Sequence, residues 1–452
     1  MIEKAFHLKE NRTTVKREII AGTTTFMTIA YILAVNPTLL SQSGMDKNAV
    51  LIATALASFI GTLLMAFLAN YPFALVPGMG LNAYFAYTVC GSMGYSWQIA
   101  LLAVFVEGII FIILSVTHIR EAIFNAIPFS LKRGVSGGIG LYIAFIGLQG
   151  AHLVVDNEST LLSYVDFSAD FHTKGICAIL ALIGLFITII LYIKRVKAAI
   201  LIGIFATWIL GMGAQGLGLY VPNVPEGFYS LCPDTHFVSI TAIGATFGQC
   251  FHADFSSINF FEFLMILLAF LFVDLFDTIG TLIGVASKAN MMDENHQLPR
   301  IRQAMLADAL ATTVGAVLGT STTTTCVESS AGVAAGGRTG LSSVVTGFLF
   351  LLSLFFAPVF SVIPSFATAP ALILVGFLMI SSIMDIDFKD LPEAIPAYLC
   401  LLVMPLMYSI SEGISLGIIS YVVINFLCGR RKKITPLMYV LALLFIGKYI
   451  FL

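Results

Sequence analysis

Long apolar blocks, rather than short amphipathic ones, organise this sequence. A block of about 18 or more residues with few charges is long enough for a helix to cross a bilayer. Such blocks fall at 18–41, 50–70, 74–91, 97–117, 134–151, 174–193, 197–216, 259–286, 303–319, 322–336, 341–362, 368–384, 392–409 and 411–428. They predict fourteen spans, numbered here in chain order, and an all-α polytopic membrane protein. A last apolar run, 436–452, is short for a span and carries Lys448. It reads as an interfacial or edge-packed helix, with a fifteenth span as the alternative.

The polar positions between the blocks test this layout, because Lys and Arg collect on the cytoplasmic side. With the N-terminus inside, the inner segments are 4–17, 120–133, 194–197, 288–302, Arg338, Lys389 and 430–433. These hold twenty of the 23 basic residues. Lys47 and Lys174 alone fall outside, and Lys448 lies in the tail. One span missed midway would scramble this alternation. The longest outer segments are 152–173, with Asp156, Glu158, Asp166 and Asp170, and 217–258, with Pro222, Pro225 and Pro233. Both read as connections and not as domains.

Composition removes several functions. The chain of 452 residues is 58% hydrophobic and 11% charged, against about 25% charged for soluble domains. A soluble enzyme is excluded. A net charge of −2 offers no basic field for nucleic acid. The seven cysteines lie mostly in apolar runs without a CxxC pair, so neither a metal site nor a disulfide framework is read from them. No HExxH is present, and Gly78-Met79-Gly80 lacks the third glycine of a dinucleotide loop.

Spans 3 and 10 are not ordinary helices. Span 3 carries Pro77, Gly78 and Gly80 in quick succession. A proline pushes its predecessor into extended geometry, so a short extended piece, a break near mid-membrane and a half-helix starting at about Gly80 are predicted. Span 10 carries four consecutive threonines, 322–325, and then the small-residue run to Gly337. β-Branched residues favour extended backbone, and small residues suit a closely packed half-helix. The two breaks occupy the third position of each seven-span half. Interrupted segments at matching positions of two halves point to a transporter's binding site, although glycine and proline also merely kink membrane helices.

Five acids lie within spans: Glu107, Asp274, Asp277, Asp308 and Glu328. An acid at a helix centre costs about 2.5–3.5 kcal/mol on insertion scales, so it marks function by default. Asp274 and Asp277 share a helix face. Two carboxylates this close do not readily both ionise, and one keeps a proton near neutral pH, as a proton-coupled carrier requires; a scaffold network with neighbouring threonines is the alternative. Glu328 lies in the first turn of the span-10 half-helix and Asn82 equivalently early in that of span 3. Together they offer acceptors and a donor to a flat heterocycle with several N–H groups. Three acids disfavour an anion. Asp308 reads as a packing acid, and Glu107 as either a site residue or the partner of a nearby hydroxyl.

These residues resemble a known family. PGMGLNAYF (77–85), FVDLFDT (272–278), LADALATTVG (306–315) and GTSTTTTCVESSAG (319–332) look like the AzgA-like purine permeases of the nucleobase–cation symporter and nucleobase–ascorbate transporter group. The likeness runs from EIIAGTTTFMT (18–28) to AIPA (394–397). It implies a 7+7 inverted repeat with a cytoplasmic N-terminus at 1–17. A core domain would comprise 18–117 and 259–362, and a gate domain 118–216 and 363–428. Residues 217–258 would be an outer connection and 429–452 a basic segment with an apolar tail. It further implies import of adenine, guanine or hypoxanthine with protons across the cell membrane, as a homodimer moving in elevator fashion, with no cofactor. Gly80, Asn82, Asp277 and Glu328 are the implied substrate-binding residues, and Asp274 and Asp277 the implied proton-coupling pair. The rival readings are a carrier of uracil, xanthine or another solute on the same fold, and a membrane enzyme or scaffold.

Overall fold

The computed structural model describes residues 2–451 except 118–125, 158–159, 169, 224–226, 233–239, 255–257, 289–290 and 292–297. Arg120, Glu158, Pro225 and Pro233, used above to read the connections, lie outside the described residues. Among the described residues, nine helices or helix pairs are long and apolar enough to cross a membrane.

Span 1 is two helices, α1 (Val15–Ile29) and α2 (Ile32–Ser41), and Pro37 lies inside the second. Span 2 is α3 (Lys47–Leu64), prolonged by a wide π-wound turn to Ala69. Span 3 is the strand β1 (Leu75–Pro77) followed by α4 (Met79–Ala83), which continues π-wound to Ser92. Then come α5 (Trp97–Val116), α6 (Phe129–Gly150), a hairpin of β2 (Val154–Asn157) and β3 (Leu161–Tyr164), α7 (Ile176–Ile193) and α8 (Ala199–Gly216). The second half opens with α9 (Phe260–Lys288) and α10 (Ile301–Leu318). Span 10 is β4 (Thr323–Thr325) with α11 (Ser329–Ala334). After it come α12 (Gly340–Ser353), α13 (Ala357–Val362), α14 (Ser365–Ile380), α15 (Leu391–Leu406), α16 (Ile410–Leu427) and α17 (Pro436–Phe451). Both extended pieces read from the sequence are present, and the span-3 half-helix starts at Met79.

Side-chain caps set several helix starts. Thr14 accepts from Arg17 N, Asp46 from Ala49 N and Ser409 from Glu412 N, each satisfying a donor that the helix leaves orphaned. The end of α10 is set by Gly319 at φ +97°, left-handed backbone that suits glycine. A side chain there would also strike Thr246.

The helices are inside out relative to those of a water-soluble protein. On α7, Ile183, Phe186, Ile190 and Ile193 are exposed, while Gly184 and Thr188 are buried. The buried side packs against α8 through two reciprocal pairs. A Cβ on Gly184 would meet Thr207 Oγ1 at 1.9 Å, and one on Gly203 would meet Thr188 Oγ1 at 2.0 Å. Each threonine returns its hydroxyl to a carbonyl four residues back, 2.7 Å away. Helices in lipid gain little from burying leucine, so close backbone approach at small residues holds them together.

The densest packing falls into two sets. In one, α12 lies against α1 and α3, and α10 against α3 and α5; in the other, α14 and α15 lie on α6, α15 on α16, and α7 on α8 and α14. The terminal helix α17 buries Met438, Leu441, Ala442 and Phe445 and packs along α16.

One acid read as a span end proves to be fully buried. Glu18 accepts from Thr13 Oγ1 (2.8 Å), Arg338 N (2.9 Å), Thr339 N (3.3 Å), and Ser342 N (3.2 Å) and Oγ (2.6 Å). It therefore closes the N-terminus of α12 from across the molecule, where free N–H groups favour an anion. Glu18→Ala leaves these donors buried without an acceptor and should cost about 3 kcal/mol. Glu18→Gln, which keeps one acceptor oxygen, should cost less. Melting of the purified variants in detergent checks this order; an unchanged melting temperature for Glu18→Ala would refute it.

Candidate functional site

At the centre of the molecule the chain stops being helical twice, and the two interruptions meet. Strands β1 and β4 pair antiparallel, with Leu75 opposite Thr325, Val76 opposite Thr324 and Pro77 opposite Thr323. The pairing is extended at both ends by Gly78 N to Thr322 O (3.0 Å) and Cys326 N to Ala74 O (3.1 Å). A two-stranded ladder has two outer edges, and buried backbone groups there need partners. Thr62 of α3 meets both groups of Leu75, accepting from its N–H at 3.1 Å and lying 3.2 Å from its carbonyl. Thr312 of α10 donates to Thr323 O at 3.0 Å on the other strand. Ala74 N donates to Ser329 Oγ at 3.0 Å. Asn36 of α2 braces the approach to β4 by donating to Thr54 (2.7 Å) and Thr320 (3.0 Å).

The acids gather around this ladder. The carboxylate of Glu328 immediately precedes α11 and accepts from Tyr31 OH at 2.6 Å and from Cys326 Sγ. Tyr31 stands in the break between α1 and α2, which is why its side chain can reach span 10. Asp277 is partly exposed and lies within electrostatic reach of Asp274 and Glu328. A Cβ on Gly78 would come within 3.6 Å of Asp277 Oδ2. The backbone before α4 thus passes beside this carboxylate because glycine leaves room.

Asp274 has further partners besides Asp277. It joins Asp308 through Thr278, whose hydroxyl lies 2.9 Å from Asp274 Oδ1, 3.1 Å from each Asp308 oxygen and 2.6 Å from Thr324 Oγ1. All four residues are buried. A threonine hydroxyl has one proton to donate. It serves one carboxylate oxygen at a time. Glu107 of α5 takes a bond from Thr322 Oγ1 at 2.7 Å.

The other two sequence candidates behave differently. Asn82, in the first turn of α4, is fully buried, and neither its amide nitrogen nor its oxygen has a hydrogen-bond partner among the described residues. Gly80 faces α6, where an added Cβ would meet Ile139 Cγ2 at 2.6 Å. The structure thus puts Asp277 within electrostatic reach of both Asp274 and Glu328, and Gly78, not Gly80, beside Asp277. Tyr31, Cys326 and Thr278 escaped the sequence reading. Tyr31 and Cys326 carry no signal beyond their place near Pro37 and Glu328, and Thr278 was passed over beside two acids. Among the described residues, no group of three His, Cys, Asp or Glu is placed to hold a metal ion.

With this geometry in hand, the likenesses to known proteins have a structural meaning. The profile of the Permease family (Xan_ur_permease) matches residues 16–416. The chain is 45% identical to the guanine/hypoxanthine permease PbuO of Bacillus subtilis, over 97% of this chain and 98% of that one. It is 39% identical to the adenine permease AdeP of Escherichia coli, over 100% and 96%. Among solved structures, the transmembrane domain of the cyanobacterial bicarbonate transporter BicA superposes with a TM-score of 0.63 at 14% identity, covering 89% of this chain and 97% of that one; at that identity the likeness is one of fold alone. The match across the two broken spans and the helices that seal them makes the chain a member of the Permease family, a multi-pass membrane transporter and not an enzyme.

Proposed function

We propose that this protein imports purine nucleobases, adenine, guanine or hypoxanthine among them, together with protons. The observation that carries the reading is the union, at one strand junction, of Glu328, Asp277 and a buried Asn82 amide with no hydrogen-bond partner among the described residues. The names of the relatives support the cargo: guanine and hypoxanthine for PbuO, adenine for AdeP. A purine offers N–H donors and ring-nitrogen acceptors in one plane. Glu328 and Asp277 accept from its N–H groups, Asn82 both donates and accepts, and Tyr31 and Cys326 hold Glu328 in place. Asp274 carries the proton, and the Thr278–Asp308 arrangement around it supports that role. An anionic cargo, which the fold shared with a bicarbonate transporter would allow, is opposed by the carboxylates gathered at the junction.

The same reading extends to architecture. Fourteen spans form a 7+7 inverted repeat with the N-terminus in the cytoplasm. In support, β1 and β4 run antiparallel. Thr62 and Thr312, on the second span of each half, seal opposite strands. The two packing sets correspond to the core and gate halves, and Gly80 against Ile139 is a contact between them. Neutralised by purine and proton, the core moves past the gate; two chains form the assembly.

Two measurements in proteoliposomes test the proposal. Glu328→Gln removes a charge-assisted acceptor worth about 1.5–3 kcal/mol, so hypoxanthine uptake efficiency should fall about 10- to 100-fold; full retention would refute the assignment. Uptake of labelled adenine, guanine and hypoxanthine should rise as external pH is lowered and collapse with an uncoupler. Uptake indifferent to both would remove the proton, and uptake of none of the three would remove the purine.

A further inference from the structure

A cavity of about 430 Å³ opens at the opposite end of α11 from Glu328. It lies between the N-terminal segment, the turn before β1, the start of α10 and the turn after α11. Arg12, Arg17, Arg300 and Arg338 line it, with Glu10 as the opposing charge and Tyr71 at its wall. Such a volume is within the range of small-molecule sites.

Three features mark it as a binding site for an anion. First, among the described residues four arginines from three chain segments converge against one carboxylate, and Glu10 already faces His7 at 3.2 Å. Among the described residues, none of the four arginines has a carboxylate in ion-pair range. Second, the arginines are held in position. Arg338 donates to Val333 O (2.9 Å) and Gly337 O (2.7 Å), and the Arg300 guanidinium sits 5.3 Å from the Tyr71 ring. Third, Tyr71, 3% exposed, lines the cavity beside the Arg300 guanidinium and helps to fix its place in the wall.

We infer that this cavity binds a phosphate-bearing anion. Planar guanidinium forks match the oxygens of a phosphate in paired bonds. A dianion offsets the excess of positive charge better than a lone carboxylate does. The shared chemistry has two sources, a soluble nucleotide and an anionic lipid headgroup. On the cytoplasmic orientation proposed above, on which this part rests, a nucleoside monophosphate is at hand wherever phosphoribosyl transfer consumes an imported base. A phosphate here ties the N-terminal segment and the start of α10 to the far end of α11.

Binding is tested without transport. The full chain in phosphatidylcholine nanodiscs is melted with GMP, with inorganic phosphate and with guanosine, and again in nanodiscs containing phosphatidylglycerol without nucleotide. GMP should raise the melting temperature by several degrees and guanosine should not. The shift should shrink in high salt and weaken about tenfold or more in affinity in Arg12→Gln/Arg17→Gln, two exposed positions. Stabilisation by phosphatidylglycerol alone, lost in the same variant, would support the site with lipid as its ligand. The inference is overturned if neither GMP, inorganic phosphate nor phosphatidylglycerol stabilises the chain, or if the double variant responds as the parent does. Purine uptake is not read here, so a negative result leaves the proposed transport standing, and loss of uptake would not touch the binding result.

Discussion

A peptide group in the middle of a bilayer has no water to bond, and that constraint shapes the whole molecule. Helices meet it within themselves. Where spans 3 and 10 leave the helix, the protein meets it by pairing β1 with β4 and by bringing a hydroxyl from α3 and another from α10 to the outer edges. The pocket chemistry follows from this. Non-helical backbone frees the ends of α4 and α11 and makes room for Asp277 beside Gly78, while the hydroxyls of Thr278 and Thr322 serve the carboxylates. Sealing the backbone and building the site are one arrangement.

The parts legible in the sequence were those with a local physical cause. Pro77 and the paired glycines had to break a helix, and four β-branched threonines had to extend. The fully apolar blocks had to lie in lipid. What the sequence concealed was tertiary. The spacing of Asp274 and Asp277 correctly puts both on α9, yet Thr278 links Asp274 to Asp308, thirty residues beyond that threonine. Asp308, read as a packing acid, therefore sits inside the buried polar cluster. Glu18 lies at the start of span 1, and nothing nearby in the chain reveals that the start of α12 folds back onto it. Tyr31 is one aromatic in an apolar run, and only the break between α1 and α2 turns it towards Glu328. For Glu107, the hydroxyl it meets belongs to Thr322, more than two hundred residues away.

The likeness to a bicarbonate transporter at 14% identity separates two levels of this design. The overall fold is shared. On the function proposed above, the cargo is decided by a handful of side chains at the junction of β1 and β4, here carboxylates, an amide and hydroxyls. A fold that positions ligand groups by backbone geometry can change its cargo without changing its architecture.

The pairing of β1 with β4 also sets a timetable. Residue 75 leaves the ribosome some 250 residues ahead of its partner at 325. At about 5–20 residues per second this is a wait of roughly ten seconds to a minute. During that interval Leu75–Pro77 lacks its ladder partner and Glu18 lacks the N–H groups of Arg338, Thr339 and Ser342. The first half of the chain therefore cannot complete its own interior while it is being made. It must be shielded by the insertion machinery, or stay near the aqueous margin, until the second half arrives to close it.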